Sequence, residues 1–244
     1  MREPQLKDRL AMRERPSTSP VMFQRWSQLL FLHWEVPAGM IQARLPAGLH
    51  VDRHEGKAYL GIVPFLMEKV RPRFFPCISW LSNFHELNVR TYVFDDEGRP
   101  GVWFFSLDCN QPVAVQLARC LFHLPYQHAE MSLVGDSYFC RRKKQYETAT
   151  YDYSVKGPFQ TAEPGSFEFF LLERYLLFSA RPNGDHYTGR VYHAPYSFAA
   201  LPEPEHSLLP FKWEGFEIEG PPVSSHVSPG VPVEIHPLQK AKRG

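Results

Sequence analysis

Much that would assign a 244-residue chain quickly is missing from this one. No apolar run approaches the ~18 residues that a membrane-spanning helix needs. The opening stretch, MREPQLKDRLAMRERPSTSP, has no apolar core of the kind a secretory signal carries. The formal net charge is only +1, so the broad basic field of a general nucleic-acid binder is absent. Four cysteines (Cys77, Cys109, Cys120 and Cys140) form no CxxC pair and no zinc-type spacing. They read as reduced thiols, and the predicted location is the cytoplasm. No glycine-rich phosphate loop, nucleophile elbow or EF-hand loop occurs. His50 and His54 are four apart but flank a turn, which makes a poor metal pair. The patterns therefore point to no metal, no cofactor, no nucleic acid and no membrane.

What is abundant is apolar and aromatic: 43% hydrophobic residues, with Phe, Tyr and Trp at 14%. Aromatics favour strands and also line small-molecule pockets. The expected organisation is a flexible N-terminal arm (1–21), one domain (22–238) and a flexible basic tail (239–244). Strands are predicted over Arg25–Trp34, Leu49–Val51, Ala58–Val70, Phe84–Phe94 and Gly101–Leu107. Pro64 inside the third implies a bulge or a sheet edge. Pro37 opens a short helix, and a second is expected over Pro112–Phe122. A hairpin series runs from Ala129 to Val155. Ser166 caps a helix, Asn183-Gly184 turns a hairpin between Leu176–Ala180 and His186–His193, and last strands fall at Gly215–Glu219 and Val231–Ile235. Few short helices beside many strands suggest sheets closing on themselves with helices outside.

Phe84–Phe94 carries the clearest pattern. With period two, Phe84, Glu86, Asn88, Arg90 and Tyr92 share one face, and Leu87, Val89 and Val93 share the other. The polar face either meets water or lines a cavity, and alternation alone leaves both open.

The runs RWSQLLFLHWEVP, RLPAGLHVD, AYLGIVPF, FHELNVRTYV, PGVWFFSLD, HLPYQHAEM, PGSFEFFLLERY and GRVYHAPY resemble the YqjF-like bacterial family of unknown function, in order across roughly Met22 to Pro195. That family sits in the acetoacetate-decarboxylase-like superfamily. The resemblance implies a β-rich (α+β) fold, a curved antiparallel β-barrel of acetoacetate-decarboxylase-like type with a few short outer helices, around a small-molecule cavity. Acetoacetate decarboxylases form a Schiff base through a lysine in a motif of the form G-Y-P-K-K-x-A, its pKa depressed by its surroundings. The matching segment here is His123-Leu124-Pro125-Tyr126-Gln127-His128-Ala129, where the proline and alanine agree and both lysines are gone. Lys143 and Lys144, next downstream, belong to a basic hairpin face. Schiff-base decarboxylation is therefore not expected. Glu86 corresponds to a glutamate the decarboxylases keep on an inner strand, and Arg25 stands nearest their cavity arginine.

The resemblance favours the cavity for the polar face of Phe84–Phe94. Glu86, Tyr126 and His128 are then the acid–base candidates. Arg25, Asn88, Arg90, Tyr92, Arg119, Tyr175 and His193 are the ligand-binding candidates, with an arginine to hold a carboxylate. Neighbouring groups carry plainer readings: His123 as a cap, His33 as a core histidine, and Glu173 with Arg174 as a structural ion pair. The function expected is binding of a small organic acid or carbonyl compound, with lyase- or isomerase-like proton transfer if chemistry occurs. A non-catalytic sensor or carrier, or a structural, homo-oligomeric protein whose aromatics only pack, stays open.

Overall fold

Strands are the main regular structure in the computed structural model, which describes residues 2–155, 157–181, 183–202 and 204–241. The first half runs α1 (Leu6–Arg13), β1 (Met22–Val36), α2 (Ala38–Gln42), β2 (Leu49–Val51), β3 (Ala58–Pro72), α3 (Ser79–Ser82), β4 (Phe84–Asp95), β5 (Pro100–Cys109) and α4 (Pro112–Phe122). The second half opens with β6 (Tyr126–Val134), β7 (Ser137–Arg142), β8 (Ala149–Asp152), β9 (Gln160–Thr161), α5 (Phe167–Leu172) and β10 (Leu176–Ala180). It ends with β11 (His186–His193), β12 (Ser197–Ala200), α6 (Leu209–Trp213), β13 (Ser224–Ile235) and β14 (Gln239–Lys240).

The main path of hydrogen-bonded neighbours is β2-β4-β3-β1-β13-β11-β10-β5-β6-β7-β8, and β5 also pairs with β4. The stretch β4-β3-β1-β13-β11-β10-β5 thus returns on itself. The sheet is mixed, not antiparallel throughout as expected: β5 runs parallel to β10 and to β6. The β5–β6 case has a plain cause. Strands of one direction need a crossover, and α4 is that crossover. Pro112 opens α4 where no amide is missed, and Gln111 caps it by accepting from Val113 N.

Alternation along the central strands feeds two cores. Leu30, Leu32, Leu60, Ile62, Leu87 and Val89 join Phe211 and Phe216 in one. Leu29, Phe31, Val63, Phe65, Phe84 and Tyr92 join Phe170 in the other. Both faces of these strands are covered, so a polar side chain on either face is desolvated.

Pro64 lies within a bulge, but not at an edge. Pairing of β3 with β1 is interrupted between Ile62 and Leu66, while on the other side Pro64 stays in register with Leu87 of β4. The imino nitrogen can donate to neither strand, and the bulge removes the demand.

Three expectations fail. The N-terminal arm is folded against the domain. Helix α1 buries no residue of its own, but Arg9 forks onto Asp52 at 2.5 and 2.7 Å, and Arg15 reaches Glu234 at 2.6 Å. Gly215–Glu219 is not a strand: Gly215 N and Phe216 N bond back to Lys212 O and Phe211 O in the turn that closes α6, while Arg44 donates to Glu214 O and Gly215 O with its guanidinium over the Phe216 ring at 4.0 Å. In the expected flexible tail, Gln239–Lys240 pairs with β11, and Lys240 Nζ bonds Asp185 at 2.9 Å; its last three residues lie outside the described residues. Among the described residues no helix is long and apolar enough to cross a membrane.

Candidate functional site

A cavity of about 280 Å³ lies against the polar face of β4, roofed by α4. It is near the lower end of the roughly 300–1,000 Å³ typical of small-molecule pockets. All but six of its lining residues are apolar; the six are Gln24, Glu86, Arg90, Tyr126, Arg174 and Tyr196.

Glu86 is 3% exposed. Tyr126 Oη donates to its Oε2 at 2.6 Å, and the Asn88 amide supplies a second hydrogen bond. Burial dominates and pushes the Glu86 carboxyl up to about 7; the two hydrogen bonds pull it back, and the Asp108 charge adds to the rise. No cation pairs with Glu86 among the described residues. Burial and the neighbouring carboxylate in turn hold the Tyr126 phenol well above its usual range.

Arg90 lies four residues on, roughly 13 Å along a strand that rises about 3.3 Å per residue. It is buried, and its Nη2 donates to Leu171 O at 3.1 Å and to Tyr92 Oη at 3.3 Å, while its Nε has no partner. No carboxylate pairs with it among the described residues. Tyr92 is itself fixed by His33 Nε2 at 2.7 Å and by donation to Leu171 O at 2.8 Å. His33 is fully buried, and desolvation with the Arg90 charge holds it well below its usual range.

The Arg174 guanidinium also lies against Tyr92, 4.7 Å from that ring. It donates to Phe170 O at 2.7 Å and to Asp52 at 2.8 Å, and its Nη2 is unpartnered. Asp52 is shared with Arg9, so two guanidiniums meet one carboxylate. Burial lowers Arg174 to about 10, against the attraction of Asp52. With unpaired Arg90, this end of the cavity carries excess positive charge.

The candidate residues divide. Glu86, Arg90 and Tyr126 line the cavity together. Asn88 and Tyr92 support them from behind. Tyr175 and His193 form a buried aromatic stack at 4.6 Å with Tyr196 on its far side, also 4.6 Å from His193; burial lowers His193 to about 4. Arg25 is turned away: its partner is Glu68 at 3.8 Å, while Gln24 and Trp26, one residue either side, line the cavity. His128 lies in a separate surface hollow with Lys143 and Lys144. Arg119 is outside too, donating to Tyr126 O at 2.7 Å, where it holds the backbone of a cavity residue. His123 does cap α4, with φ of 53°. Glu173 and Arg174 are not a pair, because Glu173 takes Tyr175 Oη and Tyr196 N. Gln24, Arg174 and Tyr196 are the lining polar groups that the sequence did not single out as site residues. Among the described residues no cluster of His, Cys, Asp or Glu could hold a metal ion.

This mixed sheet around a polar-bottomed cavity is similar in fold to acetoacetate-decarboxylase-like enzymes. One from Sphingomonas wittichii matches with a TM-score of 0.63 at 11% identity, covering 93% of this chain and 95% of that one. Acetoacetate decarboxylase from Legionella pneumophila matches with 0.63 at 13%, covering 94% and 91%. The enduracididine biosynthesis enzyme MppR, in complex with pyruvate, matches with 0.57 at 13%, covering 93% of each. By sequence, the chain belongs to the DUF2071 family, described as an uncharacterized conserved protein, which matches residues 23–232. Within it, the uncharacterized protein YqjF of Bacillus subtilis is 38% identical over 182 residues, covering 72% of this chain and 74% of that protein.

Proposed function

We propose that the cavity binds a small organic acid or carbonyl compound, and that Glu86 with Tyr126 moves a proton on it. The observation that carries this reading is the pairing of opposites on one strand. Glu86 is buried without a cation and balanced near neutrality; Arg90 is buried without an anion. A folded scaffold gains nothing from leaving both uncompensated, whereas a carboxylate ligand would complete Arg90.

A carboxyl that titrates near 7 accepts and returns protons with little driving-force cost. When ionised it takes the Tyr126 hydroxyl as donor, so the two groups form one relay facing the ligand. Tyr126 stands where the decarboxylases carry the first lysine of their motif, and the residues lining the cavity include no lysine. The reaction class is lyase- or isomerase-like proton transfer without a Schiff base. The pyruvate complex of MppR, on a similar fold, supports a small oxo acid as the kind of compound to try. The returning strand path supports a barrel-like enclosure, and four free thiols support a cytoplasmic setting.

A thermal-shift screen of organic acids tests binding, because a ligand at ~100 times its dissociation constant adds roughly 2.7 kcal/mol. Each hit is then incubated in deuterated water and followed by proton NMR. Loss of signal at a carbon next to a carbonyl, abolished by Glu86→Gln, is the result expected. Binding without exchange or turnover identifies a carrier or sensor. Absence of any hit that depends on Arg90 overturns the reading.

A further inference from the structure

The cavity is longer and more apolar than a two- or three-carbon acid requires. Its polar groups gather toward one end. Arg90 and Arg174 both lie against Tyr92 and bond the α5 carbonyls of Leu171 and Phe170. Glu86 and Tyr126 sit further along β4. Beyond them the lining is apolar apart from Gln24, with Phe84, Val70, Pro72 and Met22 at the far end. The strand register agrees, since Phe84 pairs with Met67 of β3 and Pro72 with Met22 of β1.

That far end opens to solvent beneath α4. Leu117 and Leu121 line the cavity and are nonetheless 51% and 60% exposed. Pro72 and Leu81 line it too, and the segment between them holds Phe74, Phe75, Ile78 and Trp80, all exposed. Gln111 Nε2 bonds Trp80 O at 2.8 Å and ties this segment to the start of α4. An apolar passage that begins at an unpaired guanidinium and ends in an apolar rim matches one ligand shape.

The geometry points to an amphiphilic carboxylate, a fatty-acid-like molecule whose head meets Arg90 and whose unbranched chain runs under α4 to the rim. This rests on the binding reading above and names its substrate class. The chain passes Glu86 and Tyr126 on its way out, so proton transfer falls on a carbon several positions down the chain from the head. The carboxylate head is assigned to Arg90 because that guanidinium has no carboxylate partner among the described residues, whereas Arg174 already bonds Asp52. The rim then shields methylenes that would otherwise remain in water.

Calorimetric titration with butanoate, hexanoate, octanoate and decanoate, each below its micelle concentration, tests the assignment. Affinity is expected to rise roughly fourfold per methylene, the value of one CH₂ removed from water. Octanol is expected to bind at least tenfold more weakly than octanoate, and Arg90→Met to erase that difference. Leu121→Gln on the exposed rim is expected to weaken decanoate while leaving butanoate unchanged. Short acids that bind through Arg90 with no gain from chain length overturn the amphiphile but keep the binding site. Failure of every acid to bind, long or short, overturns both. Octanol binding as tightly as octanoate removes the carboxylate from the assignment.

Discussion

Glu86 and Asp108 are both buried carboxyls on paired strands, one register step apart: Glu86 opposes Cys109, and Leu87 opposes Asp108. Their side chains leave opposite faces of the sheet. Asp108 is met by Arg142, whose Nε and Nη2 donate to its two oxygens at 2.7 and 2.9 Å. Arg142 also donates to Ser106 and Glu214, so nearly every donor is used. Glu86 receives a phenol and an amide and no cation. Burial raises both carboxyls, but only one site is compensated. The closed network is scaffold chemistry. On the proposed reading, the open one is a binding site before its ligand arrives.

Mutation can break this contrast at its strong end first. Arg142→Met leaves Asp108 buried without its cation, at a cost of about 3–5 kcal/mol. At roughly 2–4 °C per kcal/mol for a chain of this size, melting by circular dichroism should fall by more than about 6 °C. Asp52→Asn is expected to cost about 2–3 kcal/mol, because Arg9 and Arg174 lose their shared anion. Limited proteolysis should then cut near α1, whose docking depends on that contact.

Glu86→Gln is expected to act with the opposite sign. The folded carboxyl titrates near 7, above its usual 4.5. The unfolded chain therefore releases this proton first, and the wild type loses stability as pH rises from about 4.5 through about 7. The variant lacks that loss, so chemical denaturation near pH 8 should show a gain of roughly 1–3 kcal/mol, shrinking to nothing below about pH 5. Arg90→Met is expected to leave melting unchanged or higher and to weaken any acid ligand tenfold or more, about 1.4 kcal/mol. Smallest of all, Arg25→Ala and His128→Ala should each stay within ±0.5 kcal/mol in stability and leave binding unaltered.

The part of this contrast that was legible in the sequence is the part governed by period two. Alternation on Phe84–Phe94 separated Glu86 and Arg90 from Leu87 and Val89, and the two cores divide them in the same way. Parity also explains the failure at Arg25: a one-residue slip changes face, and the inward positions are Gln24 and Trp26. Tyr126 joined Glu86 through a resemblance, because forty residues separate them and no spacing rule connects them. Arg174 was misjudged because its neighbour Glu173 looked like its partner; adjacent residues in extended chain diverge, and Arg174 found Asp52 instead. Helix α1 offers only a short apolar set, and what fixes it most firmly is the Arg9 fork onto Asp52, forty-three residues away, which no spacing rule connects. The Gly215–Glu219 expectation failed because the segment opens in the turn that closes α6, where Gly215 N and Phe216 N bond back to Lys212 O and Phe211 O and Arg44, just after α2, takes Gly215 O.

The most direct test of the division between site and scaffold is the protonation state of Glu86 itself. Infrared difference spectra of wild type against Glu86→Gln isolate its carboxyl band across pH. A protonated carboxyl that titrates with a midpoint near 7, in a variant at least as stable as wild type, is expected. A carboxylate already ionised at about pH 5, with the variant destabilised by about 3–5 kcal/mol, would contradict it and place Glu86 beside Asp108 in the framework of the fold.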